Sequence, residues 1–304
     1  MKDDLTAPDT SHPDGVTPSL FVRDDQDGGS DRARRSVSQL TSFARCGEAY
    51  RLERIEKAPR MPAAWFAQGV AVHSAIEYYE RWRCSEPDGV DREAIFTRYY
   101  SEYDRLIDEE RQREPDLAAW LTGGRVRAED DIVRRRERGA DMLYRYILYA
   151  ENAPERPLDL GGGEAAVEVP FEIELGGVAV VGAIDMILVW PDGSLTPRDI
   201  KSGSKRPEWY FQLGVYALAI EDLFGVRPEY GDFYMLKDEK PDRPVPLRHY
   251  TPEIVGEWFR ALDSAVQARA FVPNPGDHCR TCGVKPFCSA MGGLLADQYA
   301  PTLS

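Results

Sequence analysis

The chain has 304 residues, 42% of them apolar and 30% charged, with a formal net charge of -14. Those proportions describe a globular chain long enough for a sizeable core, and no uninterrupted apolar run approaches the roughly 20 residues that a membrane helix needs. The acidic balance excludes a protein coated in basic surface, so any polyanion must be gripped by a local patch.

Residues 1–31 hold eight Asp against one Lys and one Arg, amid Gly, Pro, Ser and Thr. That composition predicts a disordered acidic tail, set at residues 1–35, with a single domain over 36–304. The first residues carry no hydrophobic export segment, and a cytoplasmic location without membrane contact is expected. From 36 to 46 the pattern predicts a capped helix, with Ser36 or Ser38 as the cap, leading to Tyr50 and Leu52. A second helix is predicted over 62–82, with Trp65, Gly69, Val72 and Ile76 on one apolar stripe and His73 one turn before Glu77. Glu77 is expected to pair with Arg81, four residues on.

Helical spacing continues over 93–113 and 126–150 through Tyr99, Tyr103, Leu106, Ile132, Leu143 and Ile147, a helical insertion ahead of the sheet. Its Arg125, Arg127, Arg134, Arg135, Arg136 and Arg138 interleave with acids and read as a solvated charged face. Three strands are predicted at 165–175, 178–190 and 194–201, separated by Gly176-Gly177 and Pro191-Asp192-Gly193 turns, which makes an antiparallel meander. A helix over 207–224 ended by Gly225, strands at 231–236 and 245–250, and a helix over 252–270 complete an α/β order.

The meander carries the chemistry. Asp185 sits in an almost wholly apolar strand, where an unpaired carboxylate is costly and a bound cation would remove the cost. Fourteen residues on, Asp199 and Lys201 are two apart on the next strand and so share a face. Phosphodiester cleavage needs its anionic transition state neutralised, and Mg²⁺ or Mn²⁺ on hard carboxylate oxygens does this while Lys201 orients the attacking water. The alternative for Asp199 and Lys201 is an ordinary cross-strand ion pair. Glu168 is a further acid on the first strand. Lys205 and Arg206, close after Lys201, are the segment expected to contact phosphate, and Trp209, Tyr210 and Phe211 either stack bases or pack in the core.

Cys279, Cys282 and Cys288 form C-x2-C-x5-C, a metal-site spacing that needs a fourth thiolate. Cys46 and Cys84 are the candidates, and Cys46, ahead of the core, is the better placed. Four thiolates suit tetrahedral Zn²⁺ or a [4Fe-4S] cluster, and the spacing leaves both open.

In order, Ser38-x-Leu40-x2-Phe43-x2-Cys46, Gly69-x3-His73, Gly182-x2-Asp185, Asp199-x-Lys201, Gln212-x3-Tyr216 and the terminal C-x2-C-x5-C resemble the PD-(D/E)XK nuclease superfamily, in particular its RecB-like and CRISPR-associated iron-sulfur exonucleases, over residues 36 to 290. The resemblance implies a restriction-endonuclease-like α/β core of helix, three-strand meander, helix and strand, with the helical insertion at about 93–150 and a cluster module of Cys46 with 271–290. It implies His73, Asp185 and Asp199 as metal ligands, Lys201 as catalytic, and Gln212 and Tyr216 as site-organising. It also implies a [4Fe-4S] cluster on Cys46, Cys279, Cys282 and Cys288. Gly47 stands where many relatives have proline, and Asp199 where many have Glu. The expected activity is a metal-dependent DNA exonuclease acting on ends or single strands, in recombination, repair or phage DNA processing. The alternatives are a non-catalytic DNA-end-binding subunit of a repair or CRISPR adaptation complex and a zinc-ribbon protein that binds nucleic acid.

Overall fold

The computed structural model describes residues 34–86, 89–203, 205–207 and 209–300. The expected tail lies outside these residues except for Arg34 and Arg35, which are not tail: with Ser36 they form strand β1 (Arg34–Ser36), parallel to the middle of the sheet. Ser36 then caps α1 (Val37–Arg45), its hydroxyl accepting from the Gln39 amide at 3.3 Å, so the cap is Ser36 rather than Ser38. The short α2 (Gly47–Tyr50) and a π-helical turn (Arg51–Ile55) follow.

Three long helices come next: α3 (Ala64–Ser85), α4 (Arg92–Arg113) and α5 (Ala128–Asn152). Their facing stripes, among them Val72, Ile76, Tyr79, Tyr99, Tyr103, Leu143 and Ile147, make one core against one face of the sheet. The expected stripe on α3 is corrected in part. Val72 and Ile76 are buried, but Trp65 and Gly69 are only partly covered, because the helix turns that side toward solvent and toward the site.

The sheet begins with the short β2 (Arg156–Pro157) and continues with β3 (Val167–Leu175), β4 (Val178–Val189) and β5 (Leu195–Lys201) as the antiparallel meander. In β3, Val167, Val169, Phe171, Ile173 and Leu175 are buried while Pro170, Glu172 and Glu174 are exposed, the period-two signature of a strand with one covered face. Helix α6 (Phe211–Phe224) crosses over to β6 (Tyr230–Met235), which pairs in parallel with β5. Nearly every residue of α6 from Phe211 to Ile220 is buried, since the sheet lies on one side of it and α7 (Pro252–Gln267) on another. Gly225, with φ of 68°, ends α6 as expected. The strands β7 (Lys240–Pro241) and β8 (Val245–Pro246) are two residues each. The expected strand over 245–250 therefore stops at Pro246, because the chain turns there: the Leu247 amide bonds to Glu229 and the Tyr250 amide back to Leu247.

One detail of the sheet positions the site. Strand β3 lines one edge of β4 over most of its length, while the other edge is shared: β1 pairs with Ala179–Val181 and β5 only with Met186–Val189. Between these, from Gly182 to Asp185, β4 has no strand on that edge among the described residues, and β4 and β5 diverge just past the Met186–Arg198 pair.

Candidate active site

The divergence of β4 and β5 frees Asp185 and Asp199 from cross-strand pairing, and their surroundings close into one network. Asp185 Oδ2 accepts from the Ile200 amide at 3.0 Å, so a carboxylate takes the ladder bond that the separating strand would have supplied. Its Oδ1 accepts from the Tyr216 hydroxyl at 3.1 Å, and Gln212 Nε2 donates to that hydroxyl at 2.9 Å. Gln212 Oε1 accepts from Lys201 Nζ at 3.0 Å, and Lys201 Nζ lies 2.6 Å from Asp199 Oδ2. His73 Nδ1 lies 3.9 Å from Asp185 Oδ2. The chain thus brings all six residues singled out in the sequence, His73, Asp185, Asp199, Lys201, Gln212 and Tyr216, from α3, β4, β5 and α6 into one site.

Local sequence explains how each arrives. Gln212 and Tyr216 are four apart on α6 and share the helix face that looks at the end of β5. On α3, a Cβ at Gly69 would meet Ser202 Oγ at 3.0 Å, so the bare glycine lets the helix lie against the residue after Lys201. His73, one turn further on, is thereby carried over Asp185.

Electrostatics fit a cation. Asp199 is 1% exposed, and burial followed by the charge of Asp185 raises its carboxyl to about 7. Burial works to lower the Lys201 ammonium, but Asp199 and then Asp185 outweigh it and the pKa is raised. Burial lowers His73, which favours the neutral imidazole that ligates metals. Glu168 joins the site from β3. It occupies the position opposite Asp185, between the Val167–Met186 and Val169–Ile184 pairs, with a φ of 51° that side-chain-bearing residues rarely adopt. Burial, then Asp185 and Glu77, raise its carboxyl to about 8. Glu77 itself accepts from Arg81 Nε at 2.9 Å, the pair expected from their spacing. The donor set of one imidazole and hard carboxylates suits Mg²⁺ or Mn²⁺. Among the described residues, no three donors already form a closed coordination shell, since Asp199 is turned to Lys201.

A consequence for stability follows from Asp199. A carboxyl raised in the folded state above its ordinary 3.8 supports the fold at low pH and loses that contribution as pH rises through about 7. The thermal midpoint of the metal-free protein is therefore expected to fall between about pH 4 and pH 7, and Asp199→Asn to flatten the fall. Mg²⁺ should raise the midpoint more at about pH 8 than at pH 6, because protons displace it from the carboxylates. Calorimetry with chelator and with Mg²⁺ checks both signs.

The segment after Lys201 is only partly as expected. Lys205 is exposed, but the Arg206 guanidinium is taken up by Asp238 at 2.9 Å and Asp242 at 3.0 Å, a pairing across a loop that no local spacing announces. Trp209 and Tyr210 are exposed, whereas Phe211 is core.

Apart from this network, Cys46, Cys279, Cys282 and Cys288 line one cavity. Cys84, near the end of α3, lies elsewhere and packs against the helical core, so the fourth thiol of the cavity is Cys46. All five cysteines are free. The Asn274 amide donates to Cys46 Sγ and the Gly276 amide to Cys279 Sγ, each at 3.4 Å. Burial pushes the Cys282 and Cys288 thiols up, so a metal must displace their protons. Residues around the cavity join the two ends of the chain: Met61 N bonds to Gly283 O at 2.9 Å, and Arg51 bonds to Tyr299 O at 2.9 Å. The glycine that follows Cys46 has a local reason, because a Cβ on Gly47 would fall 2.8 Å from the Val272 amide nitrogen. Gly47→Ala is expected to cost about 1–3 kcal/mol, read as a lowered denaturation midpoint.

A mixed sheet with helices on both faces, presenting two aspartates, a lysine and an imidazole where a strand pair splays, defines a nuclease-type α/β fold. The chain belongs to the PD-(D/E)XK nuclease superfamily, whose profile matches residues 34–289. It is similar to the Gene 69 protein of Mycobacterium phage D29, with 34% identity over 84% of this chain and 96% of that protein. It is also similar to the Gene 69 protein of Mycobacterium phage L5, with 33% identity over 84% of this chain and 95% of that one. The crystal structure of SSO0001 aligns with 64% of this chain and 81% of its own at 17% identity and a TM-score of 0.32, too distant to bear on the site. Among the described residues, no helix is long and apolar enough to cross a membrane.

Proposed function

We propose that the protein is a divalent-metal-dependent DNA exonuclease that hydrolyses phosphodiester bonds at DNA ends or in single strands. The observation that carries this reading is the closed network in which Asp199, Lys201, Gln212, Tyr216, Asp185 and His73 stand in contact. His73, Asp185 and Asp199 would hold Mg²⁺ or Mn²⁺, which when bound supplies Lewis acidity and charge neutralisation at the phosphoryl group. Lys201 holds an ammonium beside the place of attack, where it orients the water and offsets developing negative charge. Gln212 fixes Lys201, and Tyr216 fixes Asp185, so that neither must reorganise during the reaction. A subunit that only held DNA ends would have no use for Lys201 held between Asp199 and Gln212, which favours the catalytic reading over the binding one.

The cysteine site is proposed as a structural metal centre that ties the N-terminal segment around Cys46 to residues 271–290. The resemblance favours a [4Fe-4S] cluster. A single tetrahedral Zn²⁺ on the same four thiolates is the second reading, since the four sulfurs line one cavity and their spacing serves either centre. Relatives from mycobacteriophages make a phage setting the natural one for such an activity, with recombination or repair proteins as the proposed partners and the cytoplasm as the proposed location.

Digestion of end-labelled single- and double-stranded DNA, with Mg²⁺, Mn²⁺ or chelator, tests the proposal. Mononucleotides or short products released from ends only when metal is present are the expected result. Absence of any metal-dependent cleavage across both substrates rejects it.

A further inference from the structure

The partly exposed side of α3 runs from Trp65 and Phe66 through Gly69 and Val70 to His73, two helical turns and about 10 Å along the axis. At its outer end lies a continuous chain of arginines and aromatic rings. The Arg60 guanidinium sits 4.4 Å over the Phe66 ring, Phe66 and Trp65 have centroids 5.8 Å apart, and Arg135 lies 5.9 Å from the Trp65 ring. Phe66 is 39% exposed, an aromatic ring left in water beside a buried core. Arg134 and Arg135 share the single carboxylate of Asp131, and Arg60 has only a loose contact to Glu53 at 3.9 Å. Arg138, one turn further along α5, is half-buried, has no carboxylate partner among the described residues, and is held down by burial and then by the charges of Arg135 and Arg134. Its neighbour Asp141 is engaged with Arg145. Four guanidiniums thus face two carboxylates, in a chain whose net charge is -14.

A surplus of arginines around exposed aromatics is what a flexible polyanion with stackable faces recognises. Phosphates meet planar guanidiniums, and bases lie on rings without regard to sequence. The position of the surplus, at the start of a stripe that ends at His73, gives the bound strand a direction. We infer that Phe66, Trp65, Arg60, Arg134, Arg135 and Arg138 form an entry lane that holds single-stranded DNA and leads it along α3 to the catalytic site. The inference rests on the nuclease reading for its destination, but the lane binds DNA without cleavage and is tested separately.

The test is fluorescence anisotropy of a labelled single-stranded oligothymidylate with the full chain in chelator, where no hydrolysis occurs. Phe66→Ala and Arg138→Ala are each expected to weaken binding by about tenfold, within the range for loss of a stacked base or a phosphate contact. Arg138→Ala should also flatten the dependence of log affinity on log salt by about 0.7, one phosphate on a single strand. Unchanged affinity and unchanged salt slope in both variants would overturn the lane and leave the patch as a protein-contact surface. Weakened binding by the variants, combined with a wild-type protein that shows no metal-dependent cleavage, would uphold the lane while removing the exonuclease reading.

Discussion

Asp199→Asn and Lys201→Ala are each expected to reduce cleavage of DNA ends by about a thousandfold or more, with the far-ultraviolet circular dichroism unchanged. The size follows from what each residue contributes. On the proposed roles, loss of a metal ligand or of the adjacent ammonium removes several kcal/mol of transition-state stabilisation, and each 1.36 kcal/mol is about tenfold in rate. Asp199 is buried with Lys201 at 2.6 Å, so the two act as a unit, and the double variant should be hardly slower than either single one. Single-turnover rates on end-labelled DNA with saturating Mg²⁺ make the comparison. Retention of near wild-type rates by both single variants would place the chemistry elsewhere in the molecule.

If the four cysteines hold the proposed metal, Cys46→Ser and Cys279→Ser should each abolish metal binding and cost several kcal/mol of stability, because a site that does not exist in the unfolded chain returns its binding free energy to the fold. The loss should be regional. Residues 45–61 and 274–299 are held to each other across this cavity, so limited proteolysis is expected to open the C-terminal segment first. Cys84→Ser, outside the cavity, is expected to leave metal content and proteolysis unchanged. Elemental analysis with absorption near ~400 nm distinguishes iron-sulfur from zinc in the same preparations. Equal metal content in wild type and Cys46→Ser would remove Cys46 from the ligand set.

The legible part of this molecule is the part governed by short periods. Asp199 and Lys201 two apart on a strand, and Gln212 and Tyr216 four apart on a helix, point where their spacing says they should, and the hairpin glycines delimit the meander. What the sequence hides is pairing over distance. The fully buried Arg198, next to Asp199 but on the opposite face of β5, is held by Asp232 and Glu155 at sequence separations of 34 and 43, and no local pattern links the three. The pairing of Arg206 is hidden for the same reason, its acceptors Asp238 and Asp242 lying beyond α6 and β6. Helical phase explains Phe66: the apolar stripe drawn through Trp65 and Gly69 is one step off the buried face, so the ring beside Trp65 is the exposed one. The strand expected at 245–250 is cut short after Pro246 because the chain turns at Leu247, and burial of an apolar residue does not by itself distinguish strand from turn.

The bond from the Ile200 amide to Asp185 ties together two properties that an inactivating substitution is meant to separate. A carboxylate that stands in for a rung of the sheet cannot be deleted without loosening the very strands that aim the remaining groups. Alanine at Asp185 would therefore give a poorly folded protein as well as an inert one, and crystallographers wishing to trap intact DNA on this scaffold should silence it through Lys201. By the same logic, a chain of this architecture that had given up hydrolysis and kept only its grip on DNA would be expected to retain Asp185 and to have discarded the lysine.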